Sequence, residues 1–508
     1  MLAKIKSFCL TGLKGMAIDI EVDIVNGLPG IEMVGLPDTS IKESKERIRS
    51  AIRNSGYLFN PHKITVNLAP ADIKKEGAMY DLPISIGILV ATNQVDLGKF
   101  SDCLILGELA LDGMLRHVKG ILPILIEARS RGFDKFFVPK SCQQEASFVE
   151  GVQVWAFDDL HSVVQFLHTG EGQCVEVKDI CQFISNYQED VDFKYIKGQF
   201  AAKRALEIAA SGGHNVLMSG PPGTGKTMLA RCIPSILPDF TVAEALETTK
   251  IHSVAGMLSE DKGLVLTRPF RSPHHTASLV SLTGGGFNAN PGEISLAHNG
   301  VLFLDELLEY PRQTIEILRQ PLEDNKISIS RALRRVEYPA SFMLVASLNP
   351  CPCGFYGSIN NTCKCTPSQI ERYMSKLSGP MLDRIDLQIE VDNVSYEDLA
   401  SKSEGETSCE IKKRVNRARK IQQERYKGKI FCNAKMTNQM VNHYCALDST
   451  GDDLLKQAMQ RLKLSARSFI RILKVARTIA DLDASKDILS IHVSEALQYR
   501  SLDRQYWK

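Results

Sequence analysis

Residues 16–25 read Met-Ala-Ile-Asp-Ile-Glu-Val-Asp-Ile-Val, with Ile18, Ile20, Val22 and Ile24 separated by acids. A period of two sends one set of side chains to each face, so this run predicts a half-buried strand. Asn26-Gly27-Leu28-Pro29-Gly30 reads as a turn, and Ile31 to Gly35 follows it. Ser40 to Asn54 carries its charges along one side of a helix; Lys63 to Leu68 is another strand; Leu82 to Thr92 is a buried helix. Further strands and a helix continue to about Leu167, giving an α+β domain with its own core over residues 1–168. The chain then turns polar and acidic, with Gly170, Gly172 and Gln188-Glu189-Asp190, which predicts a linker over 169–190.

Beyond the linker the pattern changes. An Ala-rich helix is expected at 200–211. Short apolar runs follow at Val216-Leu217-Met218, Val301-Leu302-Phe303-Leu304 and Phe342-Met343-Leu344-Val345-Ala346. Uninterrupted apolar runs of this length predict strands covered on both faces, as in a parallel sheet. From Thr437 apolar residues recur three and four apart (Leu454, Leu455, Ala458, Leu462), a helical period; further helices are expected from Ser465 and over Ile491 to Tyr499. The expected fold class is therefore multidomain α/β: the α+β domain, a parallel-sheet α/β core over 191–393 and a helical lid over 394–508.

Composition adds limits. At 508 residues, 44% hydrophobic and 24% charged, the chain can bury two to four ordinary cores. A net charge of +2 creates no global field, so any nucleic-acid surface must be local. Met1-Leu2-Ala3-Lys4-Ile5-Lys6 opens no apolar block, no uncharged run is long enough for a bilayer, and the 13 cysteines are an odd and mostly scattered set. The expectation is a cytoplasmic chain with reduced thiols and no membrane partner.

The chemistry centres on Gly220-Pro221-Pro222-Gly223-Thr224-Gly225-Lys226-Thr227. This string fits G-x-x-x-x-G-K-[ST] between an expected strand and an expected helix. Glycines let main-chain N–H groups turn inward around phosphates, and the helix N-terminus adds positive potential. Lys226 can reach the β- and γ-phosphates of ATP, and Thr227 can offer its hydroxyl to Mg²⁺. The run 301–304 ends in Asp305-Glu306, where the C-terminal end of a parallel strand presents its ligands. Asp305 is expected to hold Mg²⁺ and Glu306 to polarise the attacking water. The third strand ends at Ser347-Leu348-Asn349-Pro350. Asn349 is expected to sit between the other two tips and orient water; its alternative is a turn residue before proline.

Several strings resemble known families. Gly77-Ala78-Met79-Tyr80-Asp81-Leu82-Pro83 and Gly107-Glu108-Leu109-Ala110-Leu111-Asp112-Gly113 resemble the proteolytic domain of Lon-type proteases. The serine and lysine of that family would fall at Ile84 and about Leu122, neither of which can act as nucleophile or base, so the resemblance implies a Lon-like fold without peptidase activity. Ile196-Lys197-Gly198-Gln199 occupies the place where AAA+ proteins hold adenine, and Asn349 corresponds to their sensor 1. Arg268-Pro-Phe-Arg-Ser-Pro-His-His-Thr276, Gly284-Gly-Gly-Phe, Pro291-Gly-Glu-Ile-Ser-Leu-Ala-His298 and Asn349-Pro-Cys-Pro-Cys-Gly354 look like the Mg-chelatase-like AAA+ proteins of the YifB/ComM family. That resemblance covers essentially the whole chain. It implies a DNA branch-migration motor of natural transformation acting on single- and double-stranded branched DNA, with recombination proteins as possible partners. It also implies that Arg384 is an arginine finger reaching a neighbouring subunit's nucleotide, with an internal salt bridge to Asp383 or Asp386 as the alternative. Arg467 would be sensor 2, with a simple surface arginine as the alternative and Arg471 and Arg477 as rivals. A finger given in trans implies a ring, a hexamer.

Cys351-Pro-Cys353 and Cys363-Lys-Cys365 form C-x-C-x₉-C-x-C. Four cysteines in fifteen residues suit tetrahedral Zn²⁺; free thiols and an iron–sulfur centre remain alternatives. DNA contact is expected from Arg331, Arg334 and Arg335 on a hairpin over Lys326 to Tyr338, and from Arg268 and Arg271 in the loop carrying His274 and His275. The basic helix Ile411 to Lys429 is a third candidate, with a plain solvated face as its alternative. Three other classes stay in view: a chelatase-type ATPase that remodels a protein for metal insertion, an ATP-dependent protease, and a scaffold without activity.

Overall fold

The structure is a computed structural model, and it describes residues 2–59, 62–184, 191–259, 261–286, 289–331, 334–358, 361–400, 405–462 and 464–500. Part of the expected linker (185–190), the hairpin tip (332 and 333) and residues 501–508 lie outside the described residues.

The front third is built on a seven-stranded sheet. Its strands are β1 (Leu2–Thr11), β2 (Lys14–Val25), β3 (Gly30–Val34), β4 (Lys63–Ala69), β5 (Leu104–Ile105), β6 (Lys135–Pro139) and β7 (Gln153–Phe157), in the order β3-β4-β2-β1-β5-β6-β7. Ile18, Ile20 and Val22 point into the core as their alternation predicts, while Asp19 is exposed. Helices α1 (Thr39–Asn54), α2 (Asp81–Ala91), α3 (Ile121–Ser130) and α4 (Leu160–Thr169) complete this part. Asp38 caps α1 by accepting from Ile41 N at 2.9 Å. Ile84 on α2 and Leu122 on α3 are fully buried core residues.

The second part holds a five-stranded, wholly parallel sheet: β8 (Val216–Ser219), β9 (Phe270–Arg271), β10 (Val301–Leu304), β13 (Met343–Leu348) and β14 (Leu387–Glu390), in the order β9-β10-β13-β8-β14. Between β10 and β13 the chain forms an antiparallel hairpin, β11 (Lys326–Arg331) and β12 (Arg334–Pro339), which turns Ile327, Ile329, Val336 and Tyr338 inward. Around the sheet pack α5 (Phe200–Gly212), α6 (Lys226–Ile236) and α7 (Val242–Ala255). The C-terminal helices α8 (Ser408–Tyr426), α9 (Ser449–Leu462), α10 (Ala466–Leu482) and α11 (Ser490–Gln498) share one apolar core with α5, β8 and β14, through Leu206, Val216, Leu387, Leu455 and Val475.

The front part rests on α7. Glu145 is buried at this joint and accepts from Leu122 N at 3.2 Å and from Ser253 Oγ, on α7, at 2.7 Å. The position corresponding to a protease lysine thus contributes only a backbone amide to a joint between parts. Among the described residues, no helix is long and apolar enough to cross a membrane.

Candidate nucleotide site

In a parallel sheet the strand tips at the C-terminal edge converge. The order β10-β13-β8 brings three of them side by side: the glycine loop after β8, Asn349 after β13 and Asp305-Glu306 after β10. Gly220 is required by packing, since a Cβ there would lie 2.1 Å from Val391 O. Gly223 and Gly225 take φ +81° and +88°, the left-handed region that favours glycine. Thr224 Oγ1 bonds Pro221 O at 3.0 Å and fixes the loop.

Lys226, the first residue of α6, is buried. Its Nζ donates to Gly220 O at 2.7 Å, to Pro221 O at 2.8 Å and to Asn349 Oδ1 at 3.4 Å. Burial pushes its pKa down to about 8, against the opposing pull of Asp305 and Glu306. Thr227 Oγ1 donates to Asp305 Oδ2 at 2.8 Å, so the two oxygens expected to share a divalent cation already meet. Glu306 is exposed and held in the left-handed region at φ +51°. Ser347 had no role in the sequence reading. Its hydroxyl donates to Asp305 Oδ1 and accepts from Glu306 N at 3.1 Å, tying both acids to β13. Its only signal was the period of two that puts it on the face of Asn349. Gln199, before α5, donates to Asp392 O at 2.6 Å and Thr224 O at 3.4 Å, which joins the stretch 196–199 to the glycine loop.

The two candidate arginines lie elsewhere. Arg384 precedes β14 at the N-terminal edge of the sheet, where Asn215 Nδ2 donates to Arg384 O at 3.0 Å. Four residues of β8 at about 3.3 Å each, roughly 13 Å, separate that edge from the glycine loop. The buried Arg384 guanidinium pairs with Glu323, not with Asp383 or Asp386. Arg467, in the first turn of α10, also faces Glu323, at 3.7 Å, and stays 58% exposed. Its rivals are engaged within the chain. Arg471 pairs with Asp386. Arg477 is buried and bonded to Asp481, Ser485 O and Lys486 O. Glu323 is a second residue the sequence reading missed, because nothing local marks it.

The DNA-facing expectations need correction. Arg268 donates to Pro238 O, Asn299 O and Asp239 O and pairs with Glu244 at 2.9 Å, so its guanidinium is a tie within the chain and not a free cation. Arg271 is held bidentate by Glu293 at 2.6 and 2.7 Å. The basic helix is split: Arg414 pairs with Glu207 and Glu406, Arg419 bonds Ala210 O and Phe431 O, and Arg425 pairs with Asp481, while Lys413, Arg417 and Lys420 stay exposed. On the hairpin, Arg335 is exposed beside Glu337; the side chains of Arg331 and Arg334 lie outside the described residues.

The four cysteines do come together. Cys351 Sγ lies 3.4 Å from Cys353 Sγ and 3.7 Å from Cys363 Sγ, Cys353 and Cys363 are 3.6 Å apart, and all four sulfurs lie within 4.8 Å of one another.

A phosphate loop, paired carboxylates and a polar strand tip on one edge of a parallel sheet, with a helical lid, define an AAA+ ATPase. The comparisons with known proteins are specific. The family model described as Magnesium chelatase, subunit ChlI, matches residues 192–399; those for Subunit ChlI of Mg-chelatase and for its C-terminal part match 20–142 and 405–500. The uncharacterized protein YifB of Escherichia coli (strain K12) is 45% identical over 496 residues, covering 97% of this chain and 96% of YifB. Competence protein ComM of Haemophilus influenzae is 43% identical over 507 residues, 99% and 98% of the two chains. The Magnesium-chelatase 38 kDa subunit of Rhodobacter capsulatus is 27% identical over 177 residues, 31% of this chain and 50% of that one. The chain belongs to the YifB/ComM family of Mg-chelatase-like AAA+ ATPases.

Proposed function

We propose that this chain is the subunit of a hexameric ring that hydrolyses ATP at the seams between copies and drives branch migration of DNA in natural transformation. The observation that carries the reading is the separation of the two arginines from the glycine loop. Neither can serve its own loop across the sheet, whereas a head-to-tail neighbour brings one edge against the other. Lys226 holds the β- and γ-phosphates, Glu306 takes a proton from the attacking water, and Asn349 orients that water. The neighbour's exposed Arg467, and its Arg384 once drawn away from Glu323, stabilise charge on the transferred phosphoryl group. The Thr227–Asp305 oxygen pair fits Mg²⁺, which would neutralise phosphate charge when bound. The four cysteines fit a structural Zn²⁺. The relationship to a competence protein supports a DNA substrate, and the hairpin bearing Arg335 is the surface retained for it.

The test is ATP turnover and strand displacement with and without forked DNA. Stimulation by DNA, lost in Glu306→Gln, is expected. If the ring holds roughly 6–10 phosphates, DNA binding falls about 10³–10⁵-fold between about 50 and 200 mM salt. Turnover indifferent to every DNA would favour the second reading, remodelling of a protein partner, which the chelatase-subunit matches support.

A further inference from the structure

The cysteine cluster lies against the wall of the nucleotide site. Cys351 follows Asn349 by two residues on the same strand tip and is fully buried. The loop then turns back through Gly354, whose N–H donates to Cys351 O at 2.9 Å. Gly354 sits at φ +83°, and a Cβ there would stand 2.6 Å from Pro222 Cδ. The knot and the glycine loop are therefore flush, with Pro222 backed directly by Gly354. Beside this contact is a cavity of about 600 Å³ that both loops line, with Ser219, Gly220 and Pro221 on one side and Tyr356 and Gly357 on the other.

The sulfurs are arranged for one ion. Zinc–thiolate bonds of about 2.3 Å in a tetrahedron require sulfurs about 3.8 Å apart, and the spacings among Cys351, Cys353 and Cys363 are 3.4, 3.6 and 3.7 Å. Two amides are aimed at sulfur, Tyr356 N at Cys351 Sγ (3.3 Å) and Cys365 N at Cys363 Sγ (3.4 Å), as thiolate ligands require. Four thiolates leave no open coordination position, so the ion does no chemistry on substrate.

We infer that this centre is a latch on the phosphate loop, so that zinc and ATP bind with positive coupling through the Gly354–Pro222 contact. The inference rests on the proposed zinc site. With zinc in place the knot is rigid and Pro222 is held where the loop must close around phosphate. Without it the two Cys-x-Cys turns loosen and the loop must be ordered by the nucleotide alone. Linkage requires the converse with the same factor: saturating ATP tightens zinc.

The experiment uses the full chain. Zinc content is measured by elemental analysis, and affinity for a fluorescent ATP analogue is titrated in zinc-loaded protein, in chelator-stripped protein and in Cys363→Ser/Cys365→Ser. Thermal melting checks that each remains folded. One zinc per chain is expected, with nucleotide affinity about tenfold or more weaker without it. In Pro222→Ala, which keeps all four ligands, the ratio of zinc-loaded to stripped affinity should collapse towards one. Zinc-loaded protein that binds no analogue would sink the ATPase reading itself. Failure to bind stoichiometric zinc would overturn the metal site. Stoichiometric zinc with unchanged nucleotide affinity on removal would overturn the latch, and a ratio that persists in Pro222→Ala would overturn its route.

Discussion

The two edges of the five-stranded sheet carry opposite kinds of chemistry. At the C-terminal edge two hydrogen-bonded groups lie beside the glycine loop, Lys226 with Asn349 and Asp305 with Thr227 and Ser347. At the N-terminal edge, Arg384 and Arg467 share a single carboxylate, Glu323, and Arg384 also donates to Pro380 O. The first edge can bind a triphosphate by itself but brings no arginine to it. The second has guanidinium groups that meet only Glu323 and the Pro380 carbonyl among the described residues. A ring in which each edge meets the other makes one complete site per seam, which is why nucleotide binding and turnover should separate by mutation.

The largest effect expected is that of Arg384→Ala. ATP turnover should fall about 10³–10⁵-fold, while the fluorescent analogue binds nearly as in the parent chain; equal losses in both would erase the division of labour. Arg467→Ala should lower kcat by roughly 10²-fold, the scale for one preorganised charge-stabilising donor, again with little change in nucleotide affinity. Ser347→Ala removes the hydroxyl that ties Asp305 to Glu306 N. A lost buried hydrogen bond of about 1–3 kcal/mol predicts roughly a tenfold drop in kcat from the first edge alone.

A pH titration sharpens the contrast further. Lys226 has its pKa pushed down to about 8 by burial. Its cation is present below that value and lost as pH rises through it. Nucleotide affinity should therefore be full near about pH 7 and fall by up to about tenfold per unit above 8. Guanidinium groups stay charged over this range, so at saturating ATP the contribution of the second edge should not follow the same curve. An affinity that is flat from about pH 7 to 9 would count against the lysine's role.

The first edge was legible in the sequence because each of its parts is local. The glycine loop is eight consecutive residues, Asp305-Glu306 closes an apolar run, and Asn349 ends another. The alternation of 16–25 and the helix 40–54 were legible for the same reason: one period, read within one segment. What was hidden is pairing across the chain. Arg268 and Arg271 look like free cations until Glu244 and Glu293 are found beside them. Arg414 and Arg425 of α8 look like part of one solvated basic run until Glu207 and Asp481 arrive from distant segments. Glu323 and Ser347 carry no motif, and only the fold brings them to the two edges. The front domain shows the reverse case: Ile84 and Leu122 as sequence offer no nucleophile or base, but that Leu122 N and Glu145 help form a joint with Ser253 could be seen only in three dimensions.

One mixing experiment tests the shared seam most directly. Lys226→Ala lacks a working phosphate loop but still presents Arg384; Arg384→Ala has the loop but lends no arginine. Combined in equal amounts and allowed to exchange, they should regain ATP turnover, roughly a quarter of the parent rate if head-to-tail seams form at random, although each is nearly inactive alone. A mixture as inactive as its components, or an Arg384→Ala chain that turns over ATP at the parent rate unaided, would contradict a site built from two copies.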